Sequence, residues 1–347
     1  MQQPGSWNMN RRRFAGLAAG AAFGLSQVSA FAQSATPTSS GKLTIYCGRN
    51  EELVGPMIPR IAEVTGIDLD VRFGNTAELA AQILEEGSKT PAGLYFCQDA
   101  GALGALAQEN RFAVLPAELL DRVEPQFRSP DGVWIGLSGR VRVLLYNPEV
   151  TDPATLPKRI IDLPQAELNG PIGWAPSNAP FQSFVTALRV VYGEDGAREW
   201  LEGIMATDPI TFEDNGPQVS AVASQEVAVG LVNHYYLFEA REEDPEISIE
   251  NYYFPGGDVG SLINVGGAGI IAGSGQEEQA AAVIRYLLSE EAQTYFAEET
   301  LEYPLAAGVE AIPELVPFSE LDAPDLDLTE LADLQGTLKL MTEVGLI

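Results

Sequence analysis

The chain has 347 residues, and its 49 acidic residues outnumber its 20 basic ones, which gives a formal net charge of −29 at neutral pH. A charge of this sign repels nucleic acid and anionic membrane surfaces, so neither is an expected partner. The length is more than one compact core usually needs and favours two lobes.

The N-terminal segment has the pattern of an export signal. Three arginines and a phenylalanine at residues 11–14 are typical of a twin-arginine leader. Residues 15–28 are apolar but too few to span a membrane, and a small-x-small pattern ends at Ala32. The sequence therefore predicts a twin-arginine signal peptide over residues 1–32, cleavage near Ala32, and export of the mature protein to the periplasm.

The mature chain is expected to begin with a polar linker over residues 33–41. The leader carries three arginines and no acidic residue, so the mature part has 17 basic and 49 acidic residues, a net charge of −32. This charge raises the local concentration of cations without selecting among them.

Beyond the linker, strand-like apolar runs alternate with helical segments, which favours an α/β fold with a parallel sheet. Leu79 and Ile83 share one face of a predicted helix that Asn75 or Thr76 can cap. The first predicted strand ends at Ile45, and the others cover residues 67–73, 94–96, 141–146, 227–232 and 266–271. Predicted helical segments cover residues 52–63, 76–86, 100–108, 181–190, 200–205, 217–223 and 276–288.

Two of these strands, 141–146 and 266–271, are expected to cross between lobes. The prediction is a first lobe made of residues 42–142 and 266–316. The second lobe is made of residues 143–265 and 317–347, and a ligand cleft lies between the two. The acidic, Leu-rich stretch over residues 322–331 is expected at the surface.

The two cysteines, Cys47 and Cys97, each close a strand-like run. Neighbouring strand ends would allow a disulfide in an oxidising compartment, whereas two buried thiols fit the sequence equally well. Both alternatives stay open at the level of the sequence.

A pair of adjacent tyrosines, Tyr235 and Tyr236, follows the strand-like run 227–232. A phenolate is a hard, anionic oxygen donor, and hard donors suit hard cations. Because a free tyrosine has a pKa of about 10, removing both protons near neutral pH requires a strong Lewis acid such as Fe³⁺. On a strand, His234 would point away from Tyr235. This single histidine is therefore expected either to pack in the core or to support a ligand from behind, rather than to bind the metal itself.

Asn50, Gln98 and Asn178 also follow strand-like runs. In open α/β sheets, ligands bind beyond the carboxyl ends of the strands. These residues are therefore predicted to share one site with the tyrosine pair.

Five short motifs follow one another along the chain. They are residues 43–52 (Leu-Thr-Ile-Tyr-Cys-Gly-Arg-Asn-Glu-Glu), 77–90, 137–143 (Leu-Ser-Gly-Arg-Val-Arg-Val), 233–236 (Asn-His-Tyr-Tyr) and 302–305 (Glu-Tyr-Pro-Leu). Their order and spacing resemble the periplasmic ferric-ion-binding proteins, the solute receptors of bacterial iron ABC transporters. The resemblance implies the α/β, two-lobed periplasmic binding protein fold (type II-like), with the ligand cleft between discontinuous lobes.

The resemblance also implies a ligand set. Tyr235 and Tyr236 match the tyrosine pair that binds Fe³⁺, with both side chains as phenolates. Several relatives have a histidine where this chain has Asn50, and a glutamate where it has Gln98. Both replacements are weaker, neutral donors, so exogenous oxygen donors are expected to complete the coordination. Asp99 is expected to cap the following helix or to lie at the surface rather than to bind iron.

A synergistic anion, carbonate or phosphate, is the second expectation from the resemblance. Ser177, Asn178 and Ala179 match a segment that holds this anion at a helix N-terminus. Asn215 and Asn233 match two further anion contacts. Arg140 and Arg142 resemble arginines near the cleft, where each can bind the anion bidentately or form a salt bridge between the lobes.

The predicted function is capture of Fe³⁺ in the cleft by a monomeric receptor, which then delivers it to an ABC transporter permease. The same fold with another small solute, such as an organic anion, thiamine or a polyamine, is the alternative. An enzyme is not expected, because the chain has no G-x-S-x-G motif and a single histidine. A scaffold or sensory receptor would share the fold and would be distinguished by its partners.

Overall fold

The computed structural model describes residues 41–322 and 324–347. The predicted signal peptide and residues 33–40 of the predicted linker lie outside the described residues. Within the described ranges, no helix combines the length and the apolar character that crossing a membrane requires.

The described residues form a mixed β-sheet with helices packed against it. The strands are β1 (Lys42–Cys47), β2 (Asp68–Phe73), β3 (Leu94–Cys97), β4 (Ile135–Tyr146), β5 (Ile172–Trp174), β6 (Ile210–Thr211), β7 (Val229–Asn233), β8 (Glu250–Tyr252), β9 (Ile263–Ile270) and β10 (Tyr303–Pro304). The α-helices are α1 (Glu51–Val54), α2 (Ile58–Thr65), α3 (Thr76–Glu86), α4 (Ala100–Gln108), α5 (Ala117–Leu120), α6 (Ala179–Met205), α7 (Gly216–Ala223), α8 (Tyr235–Glu243), α9 (Glu277–Leu287), α10 (Glu290–Glu298) and α11 (Leu334–Glu343).

The strand order is β2-β1-β3-β9-β4-β7-β5-β6, with β8 and β10 both paired to β4. Residues 135–141 of β4 pair with β9, whereas Arg142–Tyr146 pair with β7. The partner of β4 thus changes between Val141 and Arg142. We call the part formed by β2, β1, β3, β9 and residues 135–141 the first half-sheet. The part formed by Arg142–Tyr146, β7, β5 and β6 is the second half-sheet.

The pairing directions follow the connections. The outer strands are parallel to their neighbours, as the alternation of strands and helices predicts. The long central strands β4 and β9 run antiparallel to each other and to the strands beside them. The sheet is therefore mixed, and the expected parallel pairing holds only on either side of the crossing strands. The expected lobe boundaries stay a prediction.

Local sequence explains where the helices begin and break. The Asn75 side chain accepts hydrogen bonds from Ala77 N (2.9 Å) and Glu78 N (3.3 Å) and so caps α3 at its predicted start. The long helix α6 is interrupted at Gly193, which has a φ of 75°. This conformation costs a residue with a Cβ more than it costs glycine.

The C-terminal acidic stretch exposes Asp322, Asp325, Asp327 and Glu330, in agreement with the expected surface position, but buries two of its leucines. Leu328 and Leu331 are buried. A Cβ on Gly101 of α4 would lie 2.7 Å from Leu331 O, and one on Gly104 would lie 2.8 Å from Ala332 Cβ. The segment therefore packs closely on α4, because its leucines supply apolar surface to a helix that is rich in small residues.

Both cysteines are buried, free thiols. In the parallel pair β1–β3, Cys47 lies opposite Phe96, and residues opposite each other point to the same face of the sheet. Cys97 is one residue farther along β3, so its side chain points to the other face. This register decides the open alternative in favour of two separate thiols.

Candidate metal and anion site

The tyrosine pair begins α8, one residue after β7 ends at Asn233. His234 N donates to Val141 O (2.9 Å), which extends the β7 ladder by one residue, and His234 itself already has helical backbone angles. The rings of Tyr235 and Tyr236 are 4.5 Å apart between centroids and 30° from parallel. Both side chains are half-buried. The pair therefore presents two neighbouring phenols from the first turn of a helix.

His234 is a core residue, as expected, although not for the predicted reason. It precedes a helix rather than lying within a strand. Its Nδ1 accepts from Val141 N (3.1 Å), and its Nε2 donates to Leu301 O (3.0 Å). Burial lowers the pKa of His234 to about 4 against the opposing field of Glu302. With both ring nitrogens engaged, the imidazole holds the start of α8 against β4.

Both phenols are held in the neutral form. Burial, followed by the charge of Glu239, raises the pKa of Tyr235, and Arg140 opposes them only in part. Burial also raises the pKa of Tyr236 well above its usual value, and Tyr235, Glu239 and Asp214 act in the same direction. A ligand that binds phenolates here must therefore displace two protons.

A buried ion network lies next to the pair. Glu302 accepts from Arg49 Nη1 (3.1 Å) and Nη2 (2.5 Å), and from Ser138 Oγ (2.8 Å). Arg140 Nη1 lies 3.7 Å from the same carboxylate. Burial alone would raise the pKa of Glu302, but Arg49 and then Arg140 outweigh it and hold this pKa below its usual value. The network has one carboxylate for two guanidinium groups, so it keeps a positive charge.

Sequence analysis did not single out Arg49 or Glu302 as site residues. Both belong to motifs quoted for the resemblance, at residues 43–52 and 302–305. Membership in these motifs is the one sequence signal for the pair. Its two partners are 253 residues apart, so no local pattern links them.

Arg142 adds a second buried positive charge. Its Nη2 donates to Leu231 O (2.9 Å), and its guanidinium carbon lies 5.6 and 5.5 Å from the ring centroids of Phe181 and Phe184. Burial lowers the pKa of Arg142 to about 9, and the nearby charges of Tyr236 and Tyr235 resist this shift. Ionised phenols beside it would therefore stabilise its charged form.

Several buried donors around the pair have no hydrogen-bond partner within the described part of the chain. They are Arg140 Nη2, Arg142 Nε and Nη1, Asn215 Nδ2 and Asn233 Nδ2. Buried polar atoms are almost always paired in folded proteins. Arg140 and Arg142 both act on the charge of Tyr235. Their unpaired donors therefore fit an acceptor-rich, anionic ligand beside the tyrosine pair.

The remaining predicted residues have mixed placements. Asn50 is exposed, and its Oδ1 caps α1 by accepting from Glu52 N (2.8 Å). Gln98 is half-buried just after β3. Asp99 is buried and caps α4, so the expectation of a cap is confirmed and that of a surface position is wrong.

The predicted anion segment precedes α6. Asn178 occupies the N-cap position of α6, and its side chain makes no capping bond. Ala179 is the first helical residue, and Ser177 Oγ donates to Glu213 O (3.3 Å). The segment is thereby joined to the loop of Asp214 and Asn215, whose charge reaches Tyr236.

Residues 91–327 match the model of a family described as bacterial extracellular solute-binding protein. The chain belongs to this family. It is 34% identical over 325 residues to the Fe(3+)-binding periplasmic protein of Serratia marcescens. The aligned region covers 93% of this chain and 95% of the relative.

Two solved structures of solute-binding proteins extend the comparison. Iron-bound HitA from Pseudomonas aeruginosa superposes with a TM-score of 0.82 at 33% identity, over 88% of this chain and 99% of that one. The Trichodesmium protein FutA (IdiA), in complex with iron and citrate, gives 0.77 at 26% identity, over 88% and 100%. The predicted α/β, two-lobed solute-binding fold is confirmed by these similarities.

The site around the tyrosine pair does not have the composition of a metal site built on imidazole and carboxylate ligands. Among the described residues, no group of three or more His, Cys, Asp and Glu side chains is arranged to hold a metal ion. Two cavities, of about 290 and 750 Å³, are lined by residues 290–313 and by residues 121–128, 263 and 304–326, and include none of the predicted site residues.

Proposed function

We propose that this protein is the periplasmic substrate-binding component of an ABC transporter, and that it captures Fe³⁺ together with a synergistic anion. The observation that carries the proposal is the stacked pair Tyr235 and Tyr236 at the start of α8, surrounded by buried and unpaired cationic donors. The names of the Serratia and Pseudomonas relatives support iron as the substrate.

Tyr235 and Tyr236 are the proposed protein ligands. Both phenols are neutral in the metal-free protein, because burial raises the pKa of each. Fe³⁺ is a hard cation of high charge and can exchange the two phenolic protons for two iron–oxygen bonds. Softer divalent metals gain less from phenolate oxygen, so the pair favours Fe³⁺.

Charge balance requires an anion. Fe³⁺ with two phenolates retains one positive charge, and Arg140 and Arg142 add two more in buried surroundings. Asn50 and Gln98 are neutral and contribute no compensation. An uncompensated charge in a buried site is strongly unfavourable, so a bound anion lowers the free energy of the loaded state.

Carbonate or phosphate fits the donors that the chain leaves unpaired. A planar guanidinium binds such oxyanions bidentately, and Arg140 Nη2 and Arg142 Nη1 are both free to do so. Asn215 and Asn233 offer amide donors, while Ser177, Asn178 and Ala179 provide the N-terminus of α6. Water, the anion and the amide oxygens of Asn50 or Gln98 complete the coordination of iron.

Capture then couples to delivery. A ligand that contacts residues of both half-sheets binds the closed form better and shifts the population toward it. The closed, loaded monomer docks on a membrane permease, which takes the iron. The protein performs no covalent chemistry in this scheme, in keeping with relatives that are named as binding proteins.

The test is a visible absorbance titration of the metal-stripped protein with ferric citrate. We expect a phenolate-to-iron charge-transfer band in wild type that is lost in the double variant Tyr235→Phe/Tyr236→Phe. Tyr295→Phe is the matched control, because Tyr295 is another half-buried phenol, bonded to Leu53 O at 2.7 Å. A band that survives in the double variant would refute ligation by the pair.

An organic anion is the second candidate solute, and the unpaired arginine and asparagine donors favour it. It predicts binding without iron and without a visible band. A wild-type protein that stays colourless with ferric citrate, yet binds citrate by calorimetry, would move the assignment to this candidate.

A further inference from the structure

A buried carboxylate joins two helices that follow strands of different half-sheets. Asp99 follows β3 and is 4% exposed. Its Oδ1 accepts from Gly101 N (2.8 Å) and Ala102 N (3.4 Å) at the start of α4. Its Oδ2 accepts from Ser183 Oγ (2.6 Å) on α6.

A third element enters the same cluster. Asn264 Nδ2 on β9 donates to Asp99 Oδ2 (2.8 Å), and Asn264 Oδ1 accepts from Ala100 N (3.1 Å). The β3–α4 turn and β9 belong to the first half-sheet, whereas α6 follows β5 of the second. The Ser183–Asp99 hydrogen bond is therefore the link in this cluster that crosses from one half-sheet to the other.

The two helices approach closely at this point. A Cβ on Gly101 would lie 3.4 Å from Ser183 Oγ and 2.8 Å from Asp99 Oδ1. A side chain at this position would collide with Leu331 O (2.7 Å) and with Asp99 Oδ1, whereas Ser183 Oγ lies at ordinary van der Waals distance. A motion that carries α6 away from α4 breaks the Ser183 contact, while the backbone cap on α4 and the Asn264 contact stay with Asp99.

We propose that Asp99 is a positioning residue, whose hydrogen bond to Ser183 acts as a latch that joins α4 to α6 and favours the closed form of the protein. Asp99 directly follows Gln98, so the same contact also fixes the turn that carries Gln98 near the cleft. The part of this inference that concerns a ligand, namely that Fe³⁺ is held more tightly in the closed form, rests on the proposed function. The latch itself exists without any ligand.

The chemistry explains why the contact is strong enough to act. A hydrogen bond to an ionised carboxylate is shorter and stronger than one between neutral groups. Its loss is expected to change a conformational equilibrium by roughly tenfold. In the open form, Ser183 exchanges this bond for one to water, so the contact acts on the equilibrium and not on the fold of either half.

The experiment replaces the partner rather than the carboxylate. Ser183→Ala removes the cross-contact and leaves both the α4 cap and the Asn264 bond in place. Thr186→Val is the matched control, because Thr186 lies on the same helix and its buried hydroxyl bonds instead to Thr337 Oγ1 on α11 (2.8 Å). Asp99→Asn, which keeps an oxygen for the cap but loses the charge, is the second variant.

Two readouts separate the latch from the proposed function. In metal-free protein, small-angle X-ray scattering should show a larger radius of gyration for Ser183→Ala and Asp99→Asn than for wild type and Thr186→Val. In iron-loaded protein, the same two variants should release iron roughly tenfold faster with an unchanged absorbance maximum, because the two phenolates that give rise to the band are untouched.

The scattering arm stands even if iron does not bind, so the failure of the proposed function leaves the latch testable. Unchanged scattering together with an unchanged release rate in Ser183→Ala overturns the proposal. Equal changes in Thr186→Val overturn it as well, since they would reflect a general loosening of α6.

Discussion

The slope of iron affinity against pH should show how many phenolates bind the iron. Because burial raises the pKa of Tyr235 and of Tyr236 above the usual tyrosine value, both are protonated in the metal-free protein near neutral pH. Each ligating phenol gives up one proton on binding, so affinity rises with pH. The apparent log affinity should rise by about two per pH unit, which corresponds to about 2.7 kcal/mol per unit.

The slope is best read between about pH 7.5 and 8. Burial raises the pKa of Glu239 to about 7, and its proton would add to the slope below that pH. Burial lowers the pKa of Arg142 to about 9, and proton uptake by Arg142 beside the phenolates would reduce the slope near that pH. The assay is competition for Fe³⁺ against a chelator of known proton dependence. Tyr235→Phe and Tyr236→Phe should each lower the slope by about one, whereas Tyr295→Phe should leave it unchanged. Terms from the anion and the chelator cancel in these differences.

A wild-type slope near zero would refute the two-phenolate model outright. A wild-type slope of two that persists in both single variants would place the released protons elsewhere. A reduction in only one variant would leave a single phenolate, and the charge argument for the anion would then weaken, because fewer negative ligands would surround the iron.

Three further predictions concern the structure around the site. Burial lowers the folded-state pKa of His234 to about 4, so the unfolded state takes up the proton first as the pH falls. The free energy of unfolding should therefore decrease between about pH 6.5 and 4, by about 3 kcal/mol in total. The single imidazole in the proton NMR spectrum should titrate below about pH 5, and a midpoint near 6.5 would contradict its burial. Cys47 and Cys97, with pKa values that burial raises to about 11 and about 12, should not react with a thiol reagent until the protein is unfolded, and a disulfide found by mass spectrometry would contradict the strand register. Glu302→Gln leaves Arg49 without its charge partner and should destabilise the protein by about 3–5 kcal/mol in denaturant unfolding. Glu291→Gln breaks the exposed pair with Arg60 (2.6 Å) and should cost at most about 1 kcal/mol. Equal effects of the two changes would argue against a special role for the buried network.

Elements with strong local patterns could be predicted from the sequence. The helix over residues 76–86 and the one over residues 100–108 have the predicted bounds. Each follows a short polar side chain that can cap its first turn, Asn75 and Asp99 respectively, and each carries apolar residues at helical spacing. Such signals lie within a few residues of one another, so tertiary context had little opportunity to override them.

Contacts between distant parts of the chain could not be predicted in the same way. Nothing near Arg49 or Glu302 in the sequence indicates that the two form a buried pair. The leucines of residues 322–331 lie among acidic residues, so their burial depends on the surface of α4. The relative facing of Cys47 and Cys97 depends on strand register, which a single residue of slip reverses.

The tyrosine pair shows how local geometry and function constrain each other. On a strand, adjacent side chains point to opposite faces of the sheet and cannot bind one ion together. On a helix they are separated by about 100° around the axis, which lets two long side chains converge on one ligand. Placing Tyr235 and Tyr236 at the N-terminus of α8 has a second effect, because the partial positive charge there favours anionic oxygens over neutral ones. The end of β7 at Asn233 is therefore a requirement of the proposed chemistry, since a longer strand would separate the two phenols and remove that field.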